Sequence, residues 1–252
     1  MRSNGTKSES MIQTEPPIST VDASSSSSQL PLSPPWIELP DDLMANILQR
    51  LGVAEILLRA LYVCATWWRV CQSPAMWRFI HLDRHGYPAN EFDCIFYRAV
   101  DRSLGQLIEL KLFGFHLDAL LCYAAERYNS HYSLGLLEEL HLVILPWLTA
   151  EDFESIGIAC PMLKSFTYYN DWVGYPEFTE HAVAIGKNMP NLRHFRLYSH
   201  NIENKGLEAI LDGCPNLESL HLRKCFGLDL QGVLDIDYEH EYDHIDSIWP
   251  PS

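Results

Sequence analysis

Leu107-x-x-Leu110-x-Leu112 recurs as Leu137-x-x-Leu140-x-Leu142, Leu163-x-x-Phe166-x-Tyr168, Leu192-x-x-Phe195-x-Leu197 and Leu217-x-x-Leu220-x-Leu222. Counted from the first residue of each copy, the steps are 30, 26, 29 and 25 residues. A unit of that length holds one strand and one returning helix. It cannot bury its apolar face alone, so stacked neighbours must cover one another. Within each copy, strand alternation sends the second and third anchors inward and the residues between them outward. Helical patterns over Glu151 to Ala159, Glu180 to Met189 and Asn204 to Gly213 fill the second halves. Cys160-Pro161, Met189-Pro190 and Cys214-Pro215 end these helices, because proline lacks the amide that would continue them. The expected fold is α/β, with a short solenoid of about five repeats over residues 105–232.

A different pattern precedes it. Between Trp36 and Leu82 the chain reads as a helical module with two apolar faces. Leu39-Pro40 opens it, and Asp41 and Asp42 sit where the positive end of a helix dipole favours carboxylates. Leu43, Ile47, Leu48 and Leu51 recur at helical spacing, Gly52 supplies a stop, and Ile56, Leu57, Ala60, Leu61, Val63 and Cys64 begin a second face. Trp67, Trp68 and Trp77 add large apolar area. So short a segment cannot bury all of this against itself, so the rest of the chain or another protein must cover it. Phe96 to Ser103 looks like a short linking helix within residues 83–104.

The spacing of Leu39-Pro40, the Ile47-Leu48 pair, Leu51, Val63-Cys64-x-x-Trp67 and Trp77 resembles the F-box. The repeats with their Cys-Pro starts, and Cys225 after the last of them, are similar to those of plant F-box/leucine-rich-repeat proteins, in the subgroup of Skp-interacting partners. The quoted pieces AVDRSLGQLIEL, SIGIACPMLKSF, AIGKNMPNLRHF and GLEAILDGCPNLESLHLRKCFGLDLQG carry that closer match. The resemblance implies a non-catalytic substrate receptor of an SCF-type ubiquitin ligase, located in nucleus or cytoplasm. A Skp-type adaptor, and through it a cullin, would dock on the F-box. The adaptor-binding residues so implied are Leu39, Pro40, Leu43, Ile47, Leu48, Leu51, Ile56, Leu57, Val63, Cys64, Trp67 and Trp77. Trp67 and Trp68 are neighbours on one helix and cannot face the same way, so only one of them points at the adaptor. The family also carries a further repeat before Leu137. Here Asn129 to Gly135 connects instead, which leaves open a scaffold or decoy that binds the adaptor and delivers nothing.

Composition narrows the partners. The 252 residues carry a net charge of −15, which disfavours a phosphate-binding surface and argues for no nucleic-acid partner. Residues 1–35, rich in Ser and Pro, are expected to be disordered, and residues 233–252 to form a solvated acidic tail. The first residues lack an apolar stretch of signal-peptide type, and no apolar run reaches membrane-spanning length, so a soluble protein is expected, with no membrane partner. Seven cysteines without C-x-x-C spacing read as small buried hydrophobes in a reducing compartment.

Catalytic residues and cofactors are not expected, since no phosphate loop, nucleophile elbow or dinucleotide fingerprint occurs. His81 and His85 flank Asp83 at a chelating distance in sequence, but without a third ligand they read as a surface helix end. Glu239, His240, Glu241, Asp243 and His244 read as part of the solvated tail, so no metal is expected. Target binding falls to the outward strand positions on the concave face. Tyr169, His194, Arg196, Tyr198, His221 and Arg223 are the candidates there, joined by Trp172 from the aromatic insertion Asn170 to Phe178.

Overall fold

A computed structural model describes residues 39–84, 87–114, 134–143, 148–170 and 177–229. The Ser/Pro-rich segment 1–35, the acidic tail 233–252, most of the connection Asn129 to Gly135, and Trp172 with most of its insertion lie outside the described residues.

Three short helices make the first layer: α1 Asp41–Leu48, α2 Val53–Leu58 and α3 Ala65–Cys71, linked by 3-10 turns at Gln49–Leu51, Ala60–Tyr62 and Pro74–Trp77. Pro40 caps α1 at φ −54°, and its carbonyl accepts from the Met44 amide at 3.0 Å. Gly52 separates α1 from α2 at φ +79° with open space where a Cβ would sit. Backbone conformation rather than crowding therefore demands glycine there.

The linking helix α4 runs from Ala89 to Ser103, seven residues longer at its start than the sequence reading of Phe96 to Ser103. Pro88 sets its entry, and Phe92 and Ile95 extend the buried stripe of Phe96, Ala99 and Val100 by another turn.

Six strands form one parallel sheet in sequence order: β1 Phe79–Asp83, β2 Glu109–Phe113, β3 Glu139–Val143, β4 Ser165–Tyr169, β5 His194–Tyr198 and β6 Ser219–Arg223. The five expected strands are all present. β1 is additional: it closes the helical module in sequence, yet pairs with β2. His81 therefore stands on a strand and not at a helix end, because Ile80 and Leu82 alternate into the core. β2 pairs directly with β3, Glu109 opposite Glu139, with no strand between them.

Register stacks the anchors into two inward rows. Ile80, Leu110, Leu140, Phe166, Phe195 and Leu220 form one, and Leu82, Leu112, Leu142, Tyr168, Leu197 and Leu222 the other. Helices α5 Ala150–Ala159, α6 Thr179–Asn188 and α7 Asn204–Gly213 return on the buried side. They begin within a residue of where the sequence placed them. α5 opens on a capping box in which Thr149 accepts from the Asp152 amide and Asp152 from the Thr149 amide. The helices end alike: Cys160, Met189 and Cys214 cap them, and each carbonyl accepts from the amide three residues on, past the proline. Asn191 and Asn216 donate to the carbonyls of Pro161 and Pro190 in the preceding repeats, at 2.9 and 3.2 Å. α6 and α7 approach so closely that a Cβ on Gly186 would lie 2.1 Å from the Ala209 carbonyl oxygen.

Cys71, Cys160, Cys214 and Cys225 are buried, and burial pushes the last three thiols up to about 12, 11 and 11. Cys94 departs from expectation: it is exposed on α4. No helix among the described residues is long and apolar enough to cross a membrane.

Candidate partner-binding surfaces

The helical module sorts its apolar residues into two sets. On α1, Met44 and Leu48 lie one turn apart and are buried, whereas Leu43 and Ile47, one turn apart on the opposite side, are each 48% exposed. Leu51 continues the exposed row. On and around the second and third helices, Val53, Ile56, Leu57, Ala60, Leu61, Val70 and Cys71 turn inward, while Leu58, Tyr62, Val63 and Trp68 turn outward. Tyr62 reaches 70% exposure. Trp77 is fully buried, its indole donating to the Cys71 carbonyl at 2.9 Å, with the Arg102 guanidinium 5.7 Å from its ring centre. Arg69 on α3 pairs with Asp41 on α1 at 2.9 Å, with both side chains largely exposed.

The residues assigned to adaptor binding from sequence are thus divided. Pro40, Leu43, Ile47, Leu51 and Val63 are exposed; Leu39, Cys64 and Trp67 are half-buried. Leu48, Ile56, Leu57 and Trp77 are interior and pack in the core of the chain. Of the tryptophan pair, Trp67 packs on the core and Trp68 faces out, the reverse of the sequence assignment. Leu58, Tyr62 and Trp68 are exposed as well, outside the set assigned from sequence; Gly52 and then the 3-10 turn at Ala60–Tyr62 interrupt the helical phase counted from Ile47.

The second surface is the outward face of the sheet. Its rows are Phe79, Glu109, Glu139, Ser165, His194 and Ser219; His81, Lys111, His141, Thr167, Arg196 and His221; and Asp83, Phe113, Val143, Tyr169, Tyr198 and Arg223. Six of the seven target-binding candidates therefore share one face over three adjacent strands. The rings of Tyr169 and Tyr198 meet edge to face with centroids 5.5 Å apart.

Charge divides this face. On β1 to β3 His81 Nε2 is 3.2 Å from Glu109 Oε1 and Lys111 pairs with the same carboxylate, while His141 Nε2 lies 3.7 Å from Glu139 and has no hydrogen-bond partner among the described residues. The hydrogen bond with His81 leads in holding the Glu109 carboxyl down at about 2. Burial, then Lys111, pushes His141 down to about 4, so its ring is neutral at pH 7. His141 Nδ1 is bonded to the Thr167 hydroxyl at 2.9 Å. Ligand atoms of Glu109, Glu139 and His141 lie within 4.8 Å of one another, close enough to gather round a divalent cation. Such an ion would have to displace the Lys111 ammonium, so the cluster is read as an ion-pair network. On β5 and β6 the chemistry is cationic: burial first, then Arg196, Arg223 and His194, lower the pKa of His221.

Comparison with known proteins matches both regions to known families. A family model described as F-box-like matches residues 36–83, and one for the LRR repeats of FBD-associated F-box protein At5g56370 matches residues 125–233. F-box/LRR-repeat protein 23 of Arabidopsis thaliana is 39% identical over 228 residues, covering 79% of this chain and 50% of that protein. F-box/LRR-repeat protein 22 from the same plant is 38% identical, covering 79% and 72%. F-box protein SKIP19, also from Arabidopsis thaliana, is 36% identical with the same coverage. The chain spans about half the length of the first of these and nearly three quarters of the other two. With an F-box-like helical module followed by a leucine-rich-repeat sheet, the chain belongs to the plant F-box/LRR-repeat family.

Proposed function

We propose that the chain is a substrate receptor of an SCF-type ubiquitin ligase. The outward apolar row of α1 to α3 docks a Skp-type adaptor, and a cullin through it, while the open sheet face holds a target protein. The observation that carries this reading is the exposure of Leu43, Ile47, Leu51, Leu58, Tyr62, Val63 and Trp68 within one short module. Apolar area gathered in that way is costly in water and marks a protein interface. The chain performs no chemistry in this scheme. Holding a target lysine beside a charged conjugating enzyme makes the transfer effectively intramolecular.

The test is co-purification with a Skp-type adaptor. The Ile47→Asp, Val63→Asp double variant is expected to lose capture about 100-fold, since both side chains lie in the proposed contact and charge there is desolvated unpaired. Undiminished capture would refute the docking surface. The direct pairing of β2 with β3 favours a second reading, an adaptor-bound scaffold whose shortened sheet delivers no target. Reconstituted ubiquitin transfer to a trapped partner separates the two: a partner held but never modified supports the scaffold.

A further inference from the structure

We infer that the open face of β4 to β6 recognises a carboxylate-rich peptide segment carrying an aromatic side chain; this deepens the receptor reading and rests on it. The nine positions that alternate with the inward anchors on these strands are Ser165, Thr167, Tyr169, His194, Arg196, Tyr198, Ser219, His221 and Arg223; Ser165 and Thr167 are buried, and the other seven are half-buried or exposed. None is acidic, in a chain of net charge −15. The neighbouring strands differ: β1 to β3 place Asp83, Glu109 and Glu139 outward, and Glu109 is already matched by Lys111 and His81.

Arg196 stands at the centre of the middle row, flanked by Thr167 and His221. No ion pair to Arg196 exists among the described residues, whereas Lys164, Lys187, Arg193 and Lys205 each have a carboxylate within 3.5 Å. Glu218, just before β6, is engaged by Arg193 at 2.9 Å and stands 3.9 Å from His194. The field of Arg196 is not confined to β5: after burial, Arg196 and Arg223 lower the pKa of His221 on β6, and after burial and Lys111, Arg196 contributes to lowering that of His141 two strands away.

Adjacent strands lie about 4.8 Å apart, so Arg196, His221 and Arg223 form one patch of residue size. The Tyr169–Tyr198 pair borders it in the next row. Arginine beside tyrosine offers a planar fork for a carboxylate and a ring surface for an aromatic neighbour. The chain's overall negative charge does not defeat this, because screening confines each field to about 8 Å at physiological salt. Contact charges then decide the partner, and here they are positive.

The probe is a labelled peptide with glutamates around one phenylalanine, titrated by fluorescence anisotropy into the full chain bound to its adaptor. Its twin has every glutamate replaced by glutamine. The glutamate peptide is expected to bind at least about tenfold more tightly than the twin. Arg196→Glu should abolish that preference and Arg196→Gln should halve it or more, with unchanged thermal unfolding. Lys205→Gln, on the helix side and paired with Glu180, should leave it intact. Equal binding of the twins, indifference to Arg196→Gln, or preference for a phosphoserine peptide or a single-stranded oligonucleotide overturns the inference. Adaptor capture on the same samples keeps the two claims apart. Capture without peptide preference overturns only the target class, and loss of capture by the unaltered chain overturns the receptor reading beneath it.

Discussion

The helical module and the repeat sheet solve the same burial problem in opposite ways. In the sheet, register lines up every second residue of six strands into an apolar core, and the alternate positions are polar except Phe79, Phe113 and Val143. In the module, three helices of six to eight residues have too little length to bury two faces, and Leu43, Ile47, Leu58 and Trp68 stay outside. Under the proposed function, stability and binding fall to different residues of α1 to α3, even where those residues are neighbours, as Ile47 and Leu48 are. In the sheet they fall to alternate residues of one strand.

That contrast breaks first at Trp77. Trp77→Ala should cost about 4 kcal/mol in urea unfolding, because it empties a fully buried site and orphans the Cys71 carbonyl. Leu43→Ala, on the outward row, should cost within about 0.5 kcal/mol and weaken adaptor binding instead. Equal costs would mean that the two sets are not separate.

Acid sharpens the comparison with a smaller effect. Burial pushes His141 and His200 down to about 4, and no histidine occurs between Trp36 and Arg78. The unfolded chain, with histidine near 6.5, takes these protons first, so the contribution is complete above that pH and is lost as pH falls toward 4. At pH 5 each site should forfeit on the order of 1–2 kcal/mol. Hydrogen exchange at pH 5 is expected to speed up in β3 to β6 before it does in α1 to α3. Because His200 Nδ1 donates to the Tyr198 carbonyl at 2.6 Å, His200→Asn keeps a donor there and should flatten the pH slope. An unchanged slope would remove His200 from the account.

Much of the sheet was legible because its signal is local and repeated. Leucine alternation and the Cys-Pro or Met-Pro stops mark strand and helix ends without knowledge of the partner layer. β1 was not legible: Phe79-Ile80-His81-Leu82-Asp83 lacks the leading leucine of the other copies and becomes a strand only because β2 supplies its hydrogen bonds. In the module, the family spacing identified the segment but mixed two roles. Leu48 and Trp77 match the spacing because the helices need them inside, and Trp68 and Tyr62 escape it because an exposed position constrains its neighbours little. The polarity of the open face was legible from alternation alone, since each outward residue follows an inward anchor. Its ion network on β1 to β3 was not, as Glu109 meets His81 only across the unexpected strand.

The most direct test of this division is hydrogen–deuterium exchange of the full chain with and without a purified Skp-type adaptor. The account predicts slowed exchange confined to Asp41–Cys71, with the amides of β2 to β6 unchanged. Protection spread over the strands, or none in α1 to α3 at saturating adaptor, would contradict it.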